Sequence, residues 1–567
     1  MGVQGLARRL EPYATRLSSE QLDGYSAVID GPALAYYAHK LALASAANAT
    51  RIPSYADIVA EALRWLHSLE WKSKIKVSAI YFDGALPTSK RAERISRTEA
   101  NNRRVQQFRN NYATVSCPVP TYLGSISYAF LAPALQEALV ETDSPFATCT
   151  HTVPGEADDW CASHAKKHVR SIIFTSDTDL ILYDYSEDTL IVFFHDADIS
   201  TGFKAYSPAE IRKQLQVTSL VTFAYTLVEN PQDSAKLLAH QAEDVDQKSR
   251  QYIDFASRYV AKITMPAYLE EPDLVNPPQI DVRLSEYVHQ TFTNNENPHV
   301  YLPLLIEEPS QASAWNIGCD IRRLVYKLRA TIEHTVVQEY RRKAQGVSIQ
   351  EVPIYPRHFD QSPVDDLESQ MRSLRSWGEE KSVSSQLLWS LFGLSLVLTE
   401  LNTPPPIPLV QRVLNCEFDN SWAFVHLTAR LHAALYSLRM LLQMVKVARA
   451  MMDPDQTIDP RDPQENENAR LRRTVHIIAG HMSDFPSIPD VMGVPGQAKR
   501  ILAEHDVLKE LIEEIYTSAG VGIPSEQISN KQRKKQMREA ERKKKKFVQR
   551  MQAKPQEGNA YALLGDG

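Results

Sequence analysis

A chain of 567 residues has room for about two to four domains, and its 43% hydrophobic and 23% charged residues are ordinary for a globular protein. The formal net charge of −6 hides a run from Lys531 to Lys554 with 12 Lys/Arg against 2 Glu, a local +10 that leaves −16 for the remainder. A uniformly basic nucleic-acid binder is thereby excluded, and any phosphate grip in the body must come from local patches. The longest charge-free apolar run, Gln386–Thr399, is too short to span a bilayer and reads as a buried helix, so no membrane partner is expected. No apolar signal core opens the chain, and Leu6 stands where a myristoylation signal needs Ser or Thr. The five cysteines form no Cys-x-x-Cys pair, which disfavours a zinc site or disulfide framework and points to a reducing compartment.

In chain order, residues 24–30 (GYSAVID) rise to an apolar strand that stops at Asp30, and Pro32 then opens a helix. Pro53–Trp71 has helical periodicity through Ile58, Ala62, Leu66 and Leu69. Val77–Phe82 reads as a strand ending at Asp83. A polar, basic helix is expected from about Thr88 to Asn111. Val153-Pro154-Gly155 leads into another helix, whose first turn holds Glu156, Asp158 and Asp159. Ser171–Ser176 is a strand ending at Asp177, with Asp179 two residues on, and Thr189–His195 is a further strand. Strands alternating with helices predict an α/β domain with a mainly parallel central sheet flanked by helices. Ser207-Pro-Ala-Glu210 is a capping box, and from about 218 the chain reads as helical. Arg357–Ser385 is polar and reads as a mobile insertion, within which Val364, Leu367, Met371 and Leu374 keep helical spacing. Asp453–Asn468 is a second polar break, and the tail beyond 525 is charged and of low complexity.

In parallel sheets ligands sit outside the carboxyl ends of the strands, where Asp30, Asp83 and Asp177 are expected. One acid at a strand end is usually a helix cap or an Asx turn. Acids from four separate segments are a different matter, because like charges a few ångströms apart raise one another's pKa and call for a compensating cation. Carboxylates without His or Cys suit Mg²⁺ or Mn²⁺, and two such ions can activate water and stabilise the leaving oxygen of a phosphodiester. Lys90, Arg94, Arg97 and Arg104 keep the spacing of one helix face, a cationic stripe suited to phosphate capture. The opposite face, with Ala92, Ile95 and Glu99, predicts a poorly anchored helix.

These motifs resemble the flap endonuclease/XPG superfamily of PIN-like nucleases. Met1-Gly-Val-Gln-Gly-Leu6 resembles its N-terminus, and Val28-Ile-Asp-Gly-Pro-Ala33 its first acidic strand. Phe82-Asp-Gly84 with Lys90 and Arg97 at seven-residue steps is similar to its second motif. Pro154-Gly-Glu156-Ala-Asp158 and Ser176-Asp177-Thr-Asp179 are similar to its paired acids. The resemblance covers about residues 1–200. It implies that Asp30, Asp83, Glu156, Asp158, Asp177 and Asp179 hold two Mg²⁺ or Mn²⁺ ions, and that Lys90 and Arg97 steady the scissile phosphate. It also implies that Gly2 lies near the site. Helix geometry alone favours Asp159 over Asp158 as the companion of Glu156, whereas the resemblance favours Asp158.

The superfamily's further Asp and its Gly-rich duplex-gripping motif are missing; Leu227–Pro231 places Asn230 at that position, with Glu229 or Asp233 as substitutes. Those losses, together with Leu302–Ser310, Ser313–Gly318 and Ile321–Tyr326, resemble the asteroid subgroup. Trp315 and Tyr326 of that block also read as core aromatics. The expected organisation is a nuclease domain over 1–235, a helical region over 236–525 with polar insertions near 357–385 and 453–468, and a basic tail over 526–567. Lys531–Lys546 resembles a nuclear-localisation or nucleic-acid-binding run, and Asn559–Leu564 is an apolar island. The expected function is structure-selective, metal-dependent cleavage of branched or single-strand-containing DNA in nuclear repair, with protein partners reached through the tail. The alternative is a PIN-like scaffold of weak or no activity that binds nucleic acid or proteins.

Overall fold

The computed structural model describes residues 2–524 except 46–51, 113–125, 142, 262, 264–279, 294–296, 330–334, 344–345, 356–361, 420, 453–462 and 498–504. The basic tail and most of the polar break at 453–468 lie outside the described residues. Seven strands form the larger sheet: β1 (Thr15–Leu17), β2 (Ser26–Asp30), β3 (Lys76–Asp83), β4 (Thr150–Val153), β5 (Ser171–Thr175), β6 (Leu190–Asp198) and β7 (Gly202–Tyr206), in the order β1-β7-β6-β5-β2-β3-β4. Strands β6, β5, β2, β3 and β4 run parallel, while β7 and β1 add an antiparallel edge. The α/β reading with a mainly parallel central sheet is therefore correct.

The sheet is covered on both faces, as parallel sheets require. Ala27, Ile29, Ile172, Phe174 and Val192 point into one apolar layer with the helices Gly31–Ser45 and Tyr55–Ser73. Val28, Ile173, Ile191 and Phe193 point into the other, with Leu6, Cys161 and Phe223. The alternation along each strand follows the period-two geometry of extended backbone.

The first apolar layer continues without a break into the helical half. Phe130 stacks on Tyr436 of the long helix Trp422–Ala450 with ring centroids 4.3 Å apart, and Trp315 packs edge-on against the same tyrosine. Trp315 and Tyr326 are buried, as core aromatics should be. Gln386–Thr399 falls in a helix, Ser385–Glu400, that is buried along most of its length. Among the described residues no helix is long and apolar enough to cross a membrane.

Two expectations need correction. The region after 218 is not wholly helical: β8 (His299–Tyr301), β9 (Val336–Arg342) and β10 (Val347–Pro353) form a three-stranded sheet in the order β10-β9-β8. Charge conceals β9, because Glu339, Arg341 and Arg342 are buried there through pairing rather than hydrophobicity. The second correction concerns 362–380, where the helical spacing is realised as a packed helix, Ser362–Glu380, in place of the expected mobility. It buries Val364, Leu367 and Met371, the residues whose spacing marks an amphipathic face.

Candidate active site

The parallel order β5-β2-β3-β4 brings four acid-bearing exits to one sheet edge. Asp30 is the last residue of β2 and Asp83 the last of β3. Asp177 follows β5, and Glu156 caps the helix Ala157–Lys167 after β4. Buried Asp30 accepts from Ala33 N at 3.0 Å and from Thr175 Oγ1 at 2.8 Å. Thr175 Oγ1 in turn accepts from Asp177 N at 3.0 Å, so one hydroxyl ties the ends of β2 and β5 together. Asp83 Oδ1 accepts from Ala157 N at 2.8 Å, which fixes the end of β3 to the start of the next helix.

At this edge the chain approaches itself closely. Gly84 N donates to Gly155 O, and Gly155 N donates to Ala85 O, both at 3.1 Å. A Cβ at residue 84 would lie 2.2 Å from Val153 O, a backbone atom that cannot swing away. Gly84→Ala is therefore expected to push the Asp83 and Glu156 segments apart at a cost of about 1–3 kcal/mol. Thermal unfolding checks this, and an unchanged transition would contradict it. Gly2 is equally confined, since a Cβ there would meet Asp179 Oδ1 at 2.7 Å and Asp177 Oδ1 at 3.1 Å. Val3 N donates to Asp179 Oδ1 at 2.7 Å. The structure thus sets Gly2 against the acid pair, as the resemblance implies.

The acids act on one another electrostatically. Burial, reinforced by Asp83 and Asp177, pushes Asp30 up from 3.8 to about 7. Burial also raises Asp158 well above the usual carboxylate range, with added repulsion from Asp30, Asp177, Asp83 and Glu156. Asp83 and Asp179 are raised by burial first, and then by Glu156 and Asp177 respectively. Asp158, not Asp159, faces this group; Asp159 instead accepts from Tyr183 OH at 2.9 Å. Helix geometry misleads on this point because Glu156 has extended φ and ψ and stands before the first helical residue.

The donors are carboxylates, with Asp30 buried and Asp83, Glu156, Asp158, Asp177 and Asp179 half-buried, and oxygen donors crowded in this way are those that a hard divalent cation takes. Among the described residues no three acid, imidazole or thiol groups already converge to ligand spacing. The carboxylates line a rim rather than a closed cage.

Lys90 Nζ meets Glu156 Oε1 at 2.8 Å, which places a cation on that rim. Burial opposes the charge on Lys90, but its hydrogen bond to Glu156 and the surrounding acids outweigh burial and raise its pKa. Arg97 is exposed and pairs with Glu93 one turn back. Arg104 is exposed beside Asn101.

Arg94 behaves differently. It is mostly buried and pairs with Glu286 Oε2 at 2.5 Å, so the structure does not offer it as a free phosphate ligand. The helix Arg91–Asn111 is also firmly anchored, contrary to expectation. Arg91 Nε donates to Tyr301 OH at 2.9 Å, and Arg94 lies over the same ring. Asn102 donates to Gly346 O, and Arg109 pairs with Glu308 at 2.6 Å. The anchored face is Arg94, Asn102, Val105 and Arg109, whereas Ala92, opposite the basic stripe, is exposed as its surroundings suggest. Glu286 and Tyr301 carry no sequence signal for this role, because their partners lie some 200 positions earlier in the chain.

The altered segment adds no acid to the rim. Asn230 is exposed after the helix Leu220–Glu229, Glu229 bonds Tyr225, and Asp233 accepts from Gln241. Tyr259, which sequence reasoning missed, donates to Asp179 Oδ2 at 3.4 Å.

Residues 127–354 match the family described as XPG domain containing. Comparison with curated proteins gives no sequence match. Among solved structures the chain is similar to the catalytic core of Rad2 in complex with DNA substrate, with 16% identity over 50% of this chain and 87% of that one and a TM-score of 0.27. It is also similar to human GEN1 in complex with Holliday junction DNA, with 13% identity over 63% and 89% of the two chains and a TM-score of 0.29. The matched stretch, which is less than half of the chain, holds Glu156, Asp158, Asp177 and Asp179.

Proposed function

We propose that this chain is a divalent-metal-dependent, structure-selective nuclease of the XPG type, acting on branched or single-strand-containing DNA in nuclear repair or processing. The observation that carries the reading is the placement of Asp30, Asp83, Glu156 and Asp177 at one end of a parallel sheet, with half-buried Asp158 near enough to feel their charge. The XPG-domain match over 127–354 supports the same class. Asp30, Asp83, Glu156, Asp158, Asp177 and Asp179 would hold two Mg²⁺ or Mn²⁺ ions, whose chemistry there would be to activate water and to stabilise the leaving oxygen.

The chain's own groups have separate tasks. Thr175 and the backbone N–H groups of Ala33, Ala157 and Val3 hold the carboxylates in fixed orientations. Lys90 at the rim and exposed Arg97 would offset charge on the phosphate as it grows in the transition state. Arg104 would contact substrate further along the helix. Arg94 positions that helix through Glu286. The basic run Lys531–Lys546 supports a nuclear location, and the block Leu302–Tyr326 supports the asteroid subgroup.

Labelled flap, overhang and RNA substrates with Mn²⁺ test the reading, with Asp177→Ala as the control. Wild type should cleave a DNA flap or overhang at least ~100-fold faster than the variant, since a lost ligand costs more than the ~10–100-fold of a supporting residue. Equal trace cleavage by both proteins would sink the enzyme. A second reading, a feeble or silent PIN-like scaffold that binds nucleic acid or proteins, is favoured by the exposed Asn230 and the absence of a rim acid from 227–233. It predicts binding of the same substrates without Mn²⁺-dependent turnover.

A further inference from the structure

The helical half contains a groove of about 1330 Å³ between the helices Ser362–Glu380, Ser385–Glu400 and His505–Ser518, built from none of the rim residues. Its floor is apolar, with Leu367, Trp377, Phe392 and Ile515. Its walls carry six carboxylates: Asp320, Asp366, Glu400, Glu510, Glu513 and Glu514. Among the described residues no Lys, Arg or His lines it. Asp320 has Arg323 at 3.2 Å, Glu513 has Lys509 at 3.8 Å and Glu514 has Lys381 at 2.8 Å, all pairs with water-exposed members. These three cations offset part of the charge of the six carboxylates, and the groove keeps a net negative field concentrated by its low-dielectric floor.

A groove of this kind suits a cationic segment that carries a few apolar side chains, and the chain has one. Ile523 lines the groove, and the residues that follow run on to the +10 segment Lys531–Lys554, which includes Met537, Phe547, Val548 and Met551. An extended chain covers at most ~28 Å between Ile523 and Lys531, so the basic segment starts within reach of the carboxylates. A tether this short gives an effective concentration of order millimolar, enough for a weak electrostatic contact to hold.

We propose that Lys531–Lys554 docks in this acidic groove of its own chain. The body and the tail carry opposite charge, and docking removes the tail from solution until a polyanion of higher charge density competes for it. The inference does not depend on the nuclease reading.

Zero-length carbodiimide coupling of the full chain, cleared of nucleic acid, tests it by peptide mapping. Tail lysines should join chiefly to Asp320, Glu510 and Glu513 at low salt, and these links should vanish in ~0.5 M salt, where screening lengths shrink to a few ångströms. The double reversal Glu510→Lys/Glu513→Lys should cut the link to the untouched Asp320 at least tenfold. It should also strengthen binding of an oligonucleotide of about 20 nucleotides several-fold by freeing the tail. In an equal mixture of ¹⁴N and ¹⁵N protein, same-isotope links support the proposal, and mixed links would overturn it by seating the tail on a second copy. Links spread evenly over surface acids would overturn it as well. The salt and isotope arms use only the wild-type chain.

Discussion

Asp30→Asn is expected to make the protein more stable in EDTA while removing its Mn²⁺-dependent cleavage. Burial first, and then Asp83 and Asp177, raise Asp30 from 3.8 to about 7. The folded chain therefore keeps a proton that the unfolded chain has released, and stability falls as pH rises between those two values. Above about pH 7 the ionised carboxylate is carried at its full cost, on the order of 2–4 kcal/mol at ~1.4 kcal/mol per pKa unit with allowance for relaxation. Asparagine removes the charge, can still accept from Ala33 N, and can donate to Thr175 Oγ1. Melting curves of wild type and variant should lie close together near pH 4 and separate by several degrees at pH 8, with the variant higher. A variant that melts at or below wild type at pH 8 in EDTA would show that the rim carries no electrostatic strain.

Glu339→Ala should have the opposite effect, on a residue with no place in the chemistry. Arg322 and Glu339 are both fully buried, with Arg322 Nε 2.7 Å from Glu339 Oε1 and Nη2 3.1 Å from Oε2. Tyr326 OH donates to the same carboxylate at 2.7 Å, while Arg322 also donates to the carbonyls of Trp315 and Ile317 and to Ser437. Alanine would leave the guanidinium inside without a counter-charge, at a cost of about 3–5 kcal/mol. That is a large share of the ~5–15 kcal/mol that holds a typical domain together. Glu339→Gln keeps an acceptor and should lose less. The pair Arg322→Met/Glu339→Leu should recover part of the loss, because the fully buried guanidinium leaves with its carboxylate and Arg341 loses only a longer contact. Denaturant midpoints check the series. An Ala variant that unfolds with wild type would mean the pair is idle.

The first 200 residues were legible because their signals are local. Apolar runs that stop at Asp30, Asp83 and Asp177 need only a parallel sheet to bring their ends together, and alternation of strand and helix supplies it. The resemblance favours Asp158, and the extended conformation of Glu156 turns Asp158 rather than Asp159 toward the other acids. The errors share a different cause. β9 and the anchored face of Arg91–Asn111 both bury charge against distant partners, so a reading that equates polarity with solvent misplaces them. Tyr259 and Glu286 reach the rim through tertiary contacts for which linear spacing offers no clue.

The clamp on Arg91–Asn111 also bears on how such a chain can diverge. Glu286, Tyr301 and Glu308 belong to the later half, yet they decide where Lys90 and Arg97 stand. Drift at those three positions would re-aim the cationic helix without touching a single acid of the rim. The two halves must therefore change in step, and a hybrid that grafts residues 1–235 onto another protein's helices would inherit the carboxylates but lose the brace that aligns their basic partners.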